Sequence, residues 1–550
     1  MAGYDVLVIG GGVNGSGVAR DCALRGMRTL LVDKHDICHG ASGANTGMIH
    51  GGARYLLYDV QTAKDSCTDS GYIQRIAPHL LFRIPFLVPF FKHDAFAELV
   101  MAGADMFFAA YDHYQPLKRG KTHTRLTRDE ALALEPGLTP DIIGAVTMDE
   151  WGIDPFRLVI GNAVSAREAG ADVRTYTEVT GLLRGAEGRV TGATLRDALT
   201  GEVTRVEATV VVNSAGAWAP QLAAMAGARL RLRPGKGVHV VYSHRVSNYA
   251  FITLGVDGRQ MFLMPHENGT ICGTTDDDYY GDLDRLIATE DEVGYIRECG
   301  ERVLPALKQL RMQRCYVGVR PTLFKFGVNE DALSRAHQVF NHAEDGAPGF
   351  FTLAGGKLAS FRQFAQEATD EIAAVLQNTR ECRTHLDPLP GGESAPDVEV
   401  LSRQFRWPLS AVGRVAYRHG SRARRVVEHA DHVEGGRCVV CTCEPVTAGE
   451  IAYVAQHEQV RRLADVRRRT RLGMGACQGA RCLVRGAAVL IQAQDRPAQD
   501  VFDEVRDALT ARWRGMKPVM EGPNMAVAEL SQYVHLGVGA LHEAWQVKPP

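Results

Sequence analysis

The stretch YDVLVIGGGVNGSGVARDCALRGMRTLLVD, residues 4–33, decides the fold of this chain. Residues 4–9 are an apolar run of strand length, and the glycines that follow begin a turn leading into a helix that ends near Leu24. Residues 29–32 form a second apolar run, closed by Asp33. A strand, a turn, a helix and a strand in this order predict the first unit of a Rossmann-type α/β domain.

The glycines of this turn have the Gly-x-Gly-x-x-Gly spacing of a dinucleotide-binding turn. Gly10 permits the tight turn, Gly12 lets the backbone approach a pyrophosphate, and Gly15 lets helix and strand pack closely. The N-terminus of the helix offers unpaired amide donors to phosphate oxygens, and Asp33 is placed to bind ribose hydroxyls. Because strand, helix and acid all stand in their expected places, the stretch predicts nucleotide binding.

Segments far along the chain indicate which dinucleotide binds. ASGANTGMIH at 41–50 is rich in small polar residues that can line a flavin. VVVNSAGAW at 210–218 is a second strand followed by a glycine turn, and LAGGK at 353–357 is a third. In FAD enzymes the chain typically contacts the cofactor through several segments that are distant in sequence, so we expect FAD.

Six motifs resemble those of the D-amino-acid-oxidase-like FAD superfamily and, within it, of the glycerol-3-phosphate dehydrogenases. They are MIHGGARYL at 48–56, GKGVH at 235–239, GTTD at 273–276, GVRP at 318–321, SR at 334–335 and GGKLASF at 355–361. The resemblance implies an α/β fold in which an antiparallel substrate domain is inserted into a Rossmann-type FAD-binding domain. It also implies oxidation of sn-glycerol 3-phosphate to dihydroxyacetone phosphate.

The resemblance and the glycine turn together give the expected FAD-binding residues. These are Gly10, Gly12, Asn14, Gly15, Asp33, Lys34, Ser42, Asn45, Thr46, Val179, Ala215, Gly216, Gly356, Lys357 and Leu358.

Oxidation of a secondary alcohol needs a base for the hydroxyl proton, and a phosphorylated substrate needs cations, preferably arginines. By the resemblance, His50 and His239 are the candidate bases, and Arg320 belongs to the catalytic set. Phosphate and substrate binding fall to Arg54, Tyr55, Arg320, Arg335 and Lys357.

Other interpretations of these residues stay open. His50 could cap a turn, His239 could be a buried core histidine and Arg335 could be a surface charge. The alternative activity is FAD-dependent oxidation of an amino acid or a 2-hydroxy acid, which turnover on a phosphate-free substrate would support. A flavoprotein without enzymatic activity, whose cysteine domain only binds a partner, is the other alternative.

Four of the twelve cysteines form two close pairs, Cys441-x-Cys443 and Cys477-x(4)-Cys482. TAGE at 447–450 is a capping box, so a helix should begin there, and another should begin just after Cys477. Helix N-termini favour a negatively charged centre. The pattern resembles the bacterioferritin-associated-ferredoxin-like domain, which carries a 2Fe–2S cluster and which the anaerobic glycerol-3-phosphate dehydrogenases have at this position.

Structural zinc is the rival occupant of these thiolates, and free thiols are the third possibility. Cys438 gives zinc a C-x-x-C pair with Cys441, but otherwise departs from the two-pair pattern and looks like a spare. The basic run RRRTR at 467–471 could balance the charge of a cluster, dock an acidic partner or be a solvated helix face.

The whole chain has the composition of a soluble globular protein, with 45% hydrophobic residues and a formal net charge of −2 over 550 residues. Neither nucleic acid nor an acidic membrane surface is therefore expected as a partner. IPFLVPFF at 84–91 is too short for a spanning helix and is interpreted as a buried or substrate-side loop, with a membrane-dipping loop as the minority view. No basic-then-apolar leader precedes the first strand, so we expect no export.

The expected organisation has five parts: an FAD domain over residues 1–380, with the substrate domain roughly at 78–150 and 225–325; a linker at 381–396; a helical segment at 397–435; the 2Fe–2S domain at 436–492; and a helical tail at 493–550. The resemblance implies electron transfer from the flavin through the cluster and partner subunits to quinone. It also implies a cytoplasmic protein, held by other subunits to the inner face of the cell membrane.

Overall fold

The computed structural model describes residues 3–57, 59–328 and 336–538. The strands are β1 Tyr4–Ile9, β2 Thr29–Val32, β3 Leu81–Phe91, β4 Arg125–Thr127, β5 Ile142–Ile153, β6 Asp172–Arg174, β7 Thr177–Arg184, β8 Val190–Asp197, β9 Val203–Asn213, β10 Leu232–Tyr242, β11 Ala250–Leu254, β12 Gln260–His266, β13 Gly269–Gly273, β14 Asp277–Asp278, β15 Met312–Leu323, β16 His337–Asn341, β17 Phe350–Gly355, β18 Val439–Cys441 and β19 Val446–Thr447.

The helices connect and cover these strands. They are α1 Val13–Leu24, α2 Val60–Ile76, α3 Ala97–Asp112, α4 Arg128–Leu134, α5 Pro155–Glu168, α6 Ala219–Met225, α7 Glu290–Val303, α8 Phe361–Leu376, α9 Val398–Phe405, α10 Leu409–His419, α11 Ala423–Ala430, α12 Ala448–His457, α13 Leu463–Thr470, α14 Leu483–Ala493, α15 Asp500–Met516 and α16 Pro523–Tyr533. None of the helices in the described ranges is long and apolar enough to cross a membrane.

The first sheet is the predicted Rossmann-type sheet. Its main strand order is β16-β17-β9-β1-β2-β6, and β1 pairs in parallel with both β2 and β9. Val6, Val8 and Leu31 are fully buried in the core that also packs α1, α5 and α8. The carboxyl ends of β1 and β2 therefore meet at one edge of the sheet, where the glycine turn lies.

The second sheet has nine strands in the order β14-β10-β13-β12-β11-β3-β5-β4, with β15 paired to β10. Its pairings are antiparallel except for the short parallel contact of β11 with β3. Thr289 caps α7 through the predicted capping box with Glu292. A cavity described below lies against this sheet and next to the edge of the first one.

Residues 84–91, interpreted from the sequence as a loop, instead belong to strand β3, so that prediction is wrong. β3 pairs with β5 along its whole length, whereas β11 pairs with it only at Phe86 and Leu87. Pro85 and Pro89 lie outside that short contact, where a missing N–H costs no ladder bond. The expected position beside the cavity is correct, because residues 88–91 line it.

The C-terminal region, residues 398–538, is mainly helical. Thr447 caps α12 as predicted. The Glu450 carboxylate, which the predicted capping box would direct back to Thr447, instead pairs with Arg418 at 2.6 Å. The helix expected just after Cys477 begins only after Cys482, so that boundary is wrong. Gly473 and Gly479, both with positive φ, fold the intervening segment into turns.

Charged contacts fix the C-terminal region to the rest of the molecule. Several arginine–carboxylate pairs cross the boundary, among them Arg157 and Glu458 at 2.6 Å, Arg469 and Asp36 at 2.7 Å, Arg461 and Asp197 at 2.7 Å, and Arg471 and Asp154 at 3.7 Å. The basic run at 467–471 is thus turned inward, and its interpretation as a solvated helix face is wrong.

Candidate functional site

A cleft of about 270 Å³ lies at the carboxyl ends of β1, β2 and β9. The expected FAD-binding residues that line it are Gly10, Gly12, Asn14, Asp33, Lys34, Ser42, Asn45, Val179, Ala215, Gly216, Gly356, Lys357 and Leu358. Gly15 lies behind the turn, and Thr46 lines the neighbouring cavity instead.

Of the three motif glycines, only Gly12 has room for a β-carbon. A β-carbon on Gly10 would lie 2.6 Å from the carbonyl oxygen of Ser214, and one on Gly15 only 1.9 Å from that of Gly10. A β-carbon on Gly12 would meet nothing nearer than Ser42 Oγ at 3.2 Å. Gly10 and Gly15 are therefore required for packing, whereas Gly12 keeps space open for a ligand, which fits a pyrophosphate.

Asp33 and Ser42 brace the turn from the next loop. The Asp33 carboxylate accepts the amide of Gly11 at 2.6 Å, and Ser42 Oγ accepts the amide of Val13 at 2.9 Å. Lys34 pairs with Asp284 at 2.7 Å and so does not point freely into the cleft. Burial raises the pKa of Asp33, against its backbone hydrogen bonds.

A larger cavity of about 740 Å³ adjoins the cleft and shares seven lining residues with it. The two spaces are therefore continuous, as a dinucleotide and a substrate beside its reactive end require. The predicted substrate and catalytic residues that line the larger cavity are His50, Arg54, Tyr55, His239, Arg320 and Lys357. Arg335 lies outside the described residues.

The two histidines are held in the neutral form. Burial, together with Lys357 and other cations, lowers the pKa of His50 well below its usual value. Burial and Arg320 lower the pKa of His239 to about 3. The His239 ring stacks on Tyr316 at 4.6 Å, and its buried Nδ1 has no hydrogen-bond partner in the part of the chain described. Both rings are therefore neutral, and each has a nitrogen lone pair that can receive a proton.

The cations of the cavity differ in how they are held. Arg320 donates to Thr274 Oγ1 at 3.0 Å and pairs with Asp276 at 3.1 Å. Lys357 Nζ is buried 4.3 Å from the Tyr55 ring and has no hydrogen-bond partner among the described residues. Because an unpaired buried charge is costly, Lys357 marks the place where an anionic ligand fits.

Two residues of this site were missed from the sequence. Tyr316 lies two residues before Gly318 on β15, and the two-residue period of a strand puts it on the face that carries Arg320. Asp276 ends the GTTD motif but was given no role. Strand alternation was the signal for Tyr316, whereas the pairing of Asp276 with Arg320 depends on the tertiary fold.

The four paired cysteines come together as two contacting pairs. Cys441 lies beside Cys482, and Cys443 lies beside Cys477. Within the described ranges no three His, Cys, Asp or Glu side chains are arranged as the ligands of one metal ion. Cys438 is exposed.

Arginines lie close to the cysteines. Arg467 lies near Cys482, and Arg512 near Cys477. Buried N–H groups of Arg512 and Arg314 have no hydrogen-bond partner in the described structure. This cationic, under-satisfied shell fits an anionic centre held by the thiolates.

Strand β15 connects the cysteines to the cavity. Gln313 Nε2 donates to the carbonyl oxygen of Gly475 at 2.8 Å, and Arg314 donates to Gln478 at 3.4 Å. Tyr316 and Arg320, on the same face as Arg314, then reach the substrate side. One strand thus contacts both sites.

Comparison with known proteins agrees with this fold. Residues 5–362 match the family described as FAD dependent oxidoreductase. Residues 382–495 match the family described as the C-terminal domain of alpha-glycerophosphate oxidase. The structure of the Bacillus halodurans glycerol-3-phosphate dehydrogenase complexed with FAD superimposes with a TM-score of 0.75, covering 94% of this chain and 96% of that one at 23% identity. At this identity the likeness shows the fold alone.

Relatives similar over nearly their whole length narrow the class further. One subunit of the anaerobic glycerol-3-phosphate dehydrogenase of Escherichia coli strain K12 is 36% identical, over 98% of this chain and 97% of the relative. Its Haemophilus influenzae counterpart is 33% identical, over 99% of this chain and 94% of the relative. The chain therefore belongs to the FAD-dependent oxidoreductases and, within them, to the family of these anaerobic glycerol-3-phosphate dehydrogenase subunits.

Proposed function

We propose that the protein oxidises sn-glycerol 3-phosphate to dihydroxyacetone phosphate, with FAD bound along the cleft and the substrate in the adjoining cavity. The observation that carries this proposal is the buried ammonium of Lys357, which has no hydrogen-bond partner among the described residues, in a cavity with two neutral histidines. FAD, when bound, supplies the acceptor for the hydride of the secondary alcohol.

The side chains of the cavity divide the remaining work. Lys357, with Arg54 and Arg320 of the same cavity, would hold the substrate phosphate. Either His50 or His239 would take the hydroxyl proton, since both rings are neutral. Tyr316, stacked on His239, would fix the orientation of that ring.

The test is a visible spectrum of the purified protein under anaerobic conditions, before and after addition of glycerol 3-phosphate. We expect flavin absorption that bleaches with this substrate and not with glycerol. Bleaching by a phosphate-free amino acid or 2-hydroxy acid, and not by glycerol 3-phosphate, would support the alternative activity.

A 2Fe–2S cluster is proposed as the second cofactor, held by Cys441, Cys443, Cys477 and Cys482. The two thiol pairs and the arginine shell support it, although no metal-ligand arrangement occurs among the described residues. Iron with cluster absorption bands would identify it, whereas zinc in a colourless site would identify the rival.

Electron transfer to quinone through partner subunits, and attachment to the inner face of the membrane by those subunits, complete the proposal. The names of the relatives, which describe each of them as one subunit of an enzyme, support the existence of partners.

A further inference from the structure

Arg468 and Arg469 of α13 lie against the loop that follows β2. Arg469, with its side chain 1% exposed, donates to both carboxylate oxygens of Asp36, at 2.7 and 2.9 Å. Arg468 donates to the same carboxylate at 3.1 Å and lies 3.2 Å from His39 Nδ1. Asp36 is completely buried, so these arginines compensate its charge inside the molecule.

The loop itself, residues 33–42, is here named the dinucleotide loop. At its first residue the carboxylate of Asp33 accepts the Gly11 amide, and near its end Ser42 Oγ accepts the Val13 amide. In the middle, the Cys38 amide donates to the Gly11 carbonyl at 2.9 Å. The loop therefore holds the glycine turn from three positions.

The conformation of the dinucleotide loop is not one that its own sequence favours. Cys38 has a φ of +67°, in the left-handed region that non-glycine residues seldom adopt. His39 stacks on His35 at 4.0 Å. A loop with such a residue persists only where its surroundings determine it, and Asp36 is its buried point of attachment.

We propose that Arg468 and Arg469 are positioning residues for FAD. Their ion pairs with Asp36 hold the dinucleotide loop in its binding conformation, so FAD retention depends on the docking of the C-terminal region. The inference rests on the proposed function only in taking FAD as the occupant of the cleft. Because coupling between two sites is reciprocal, bound FAD must also stabilise the docking of α13.

A matched control exists at the same boundary. Arg157 and Glu458 form a pair of similar burial, 7% and 8% exposed, at 2.6 Å. Neither residue lines the cleft. Glu458→Gln and Asp36→Asn each neutralise one buried carboxylate that faces an arginine across the boundary, but only Asp36 belongs to the dinucleotide loop. Arg469 also donates to the backbone carbonyl of Glu458 at 2.7 Å, an acceptor that Glu458→Gln retains.

The experiment measures the FAD dissociation constant of the full-length protein by flavin fluorescence, at a temperature where circular dichroism shows each variant folded. We expect Asp36→Asn to weaken FAD binding by about tenfold or more, because it removes the charge that holds the loop. Arg468→Gln should weaken binding in the same direction, and Glu458→Gln should change it by less than about twofold. If Asp36→Asn does not fold, Arg468→Gln provides the test. The Arg468 side chain is partly exposed, so its replacement should leave the protein folded.

Amide hydrogen exchange over residues 463–470 gives a second readout. FAD should slow exchange of this helix in the wild type and in Glu458→Gln, but much less in Asp36→Asn. Equal loss of FAD in both carboxylate variants, or unchanged binding in Asp36→Asn and Arg468→Gln, would overturn the inference. A wild type that binds no FAD at all would instead refute the proposed function, and this inference with it.

Discussion

At the scale of single residues, the cations of the cavity differ in whether another side chain of the described structure already pairs with them. Arg320 is neutralised by Asp276, 3.1 Å away, whereas Lys357 has no hydrogen-bond partner among the described residues. Both were expected from the sequence to bind the substrate. The structure makes Lys357 the residue most dependent on an anionic ligand.

Lys357→Gln should lower kcat/KM for glycerol 3-phosphate by at least about tenfold, because one charge-assisted hydrogen bond is worth roughly 1.5–3 kcal/mol. The loss for glycerol should be much smaller, since glycerol has no phosphate. Arg320→Ala should show the same preference. Steady-state kinetics with both alcohols measures it, and equal losses would place the phosphate elsewhere.

Gly12→Val should yield folded protein with little or no FAD. A β-carbon there meets only Ser42 Oγ at 3.2 Å, so the valine projects into the cleft rather than into the core. The ratio of visible to ultraviolet absorbance measures FAD content. A fully yellow variant would contradict the assignment of this turn to the pyrophosphate.

At the scale of elements, the sequence predicts correctly those strands and helices whose bounds are set by residues close by in the chain. β1, α1 and β2 occur where the apolar runs and the glycines put them, and Thr289 begins α7. β3 was missed because its two prolines are tolerated only by the particular pairing of its neighbours.

In the site, too, the features set by local motifs were predictable from the sequence and the long-range pairings were not. The motif residues of the described chain converge on two adjoining spaces, as expected from their quoted patterns. The pairings of Arg320 with Asp276 and of Arg469 with Asp36 join residues far apart in sequence, and no local signal predicts them.

The segment between β19 and α14 gives the prediction at this scale. Cys477→Ser should abolish iron–sulfur absorption and lower acceptor-linked turnover at least about tenfold, because a cluster needs all four thiolates. Flavin bleaching by glycerol 3-phosphate should survive, since the cavity residues lie on other elements. Cys438→Ser, at an exposed thiol, is the control and should change neither. Normal acceptor-linked turnover in Cys477→Ser would mean that the cysteines carry no electrons.

At the scale of the whole molecule, the boundary between the C-terminal region and the sheets contains several carboxylate–arginine pairs, beside the apolar packing of Met516, Val519 and Met520 on the second sheet. Although burial opposes it, Arg471 and Arg414 lower the pKa of Glu267 to about 2. Arg461 lowers the pKa of Asp197 to about 2, again against burial. Asp465 has the opposite shift, since burial and Asp36 raise its pKa to about 6.

Acid should therefore separate the C-terminal region before the Rossmann-type sheet unfolds. Groups with lowered pKa values stabilise the fold above their unfolded pKa, near 4, and this stabilisation is lost as the pH falls through their folded values. The sign for Asp465 is reversed, because its contribution is lost as the pH rises through about 6. Small-angle scattering in steps from neutral pH should show expansion between about pH 4 and 2. An unchanged radius of gyration there would contradict this account.

The contacts of strand β15 limit which deletions within it the protein can tolerate. Its contacts with Gly475 and Gln478 lie at one end, and Tyr316 and Arg320 lie farther along the same strand. Deletion of a single codon within it would turn every later side chain to the opposite face. A deletion before Gln313 would disturb both centres at once, whereas one after Arg314 would turn only the residues that face the substrate side.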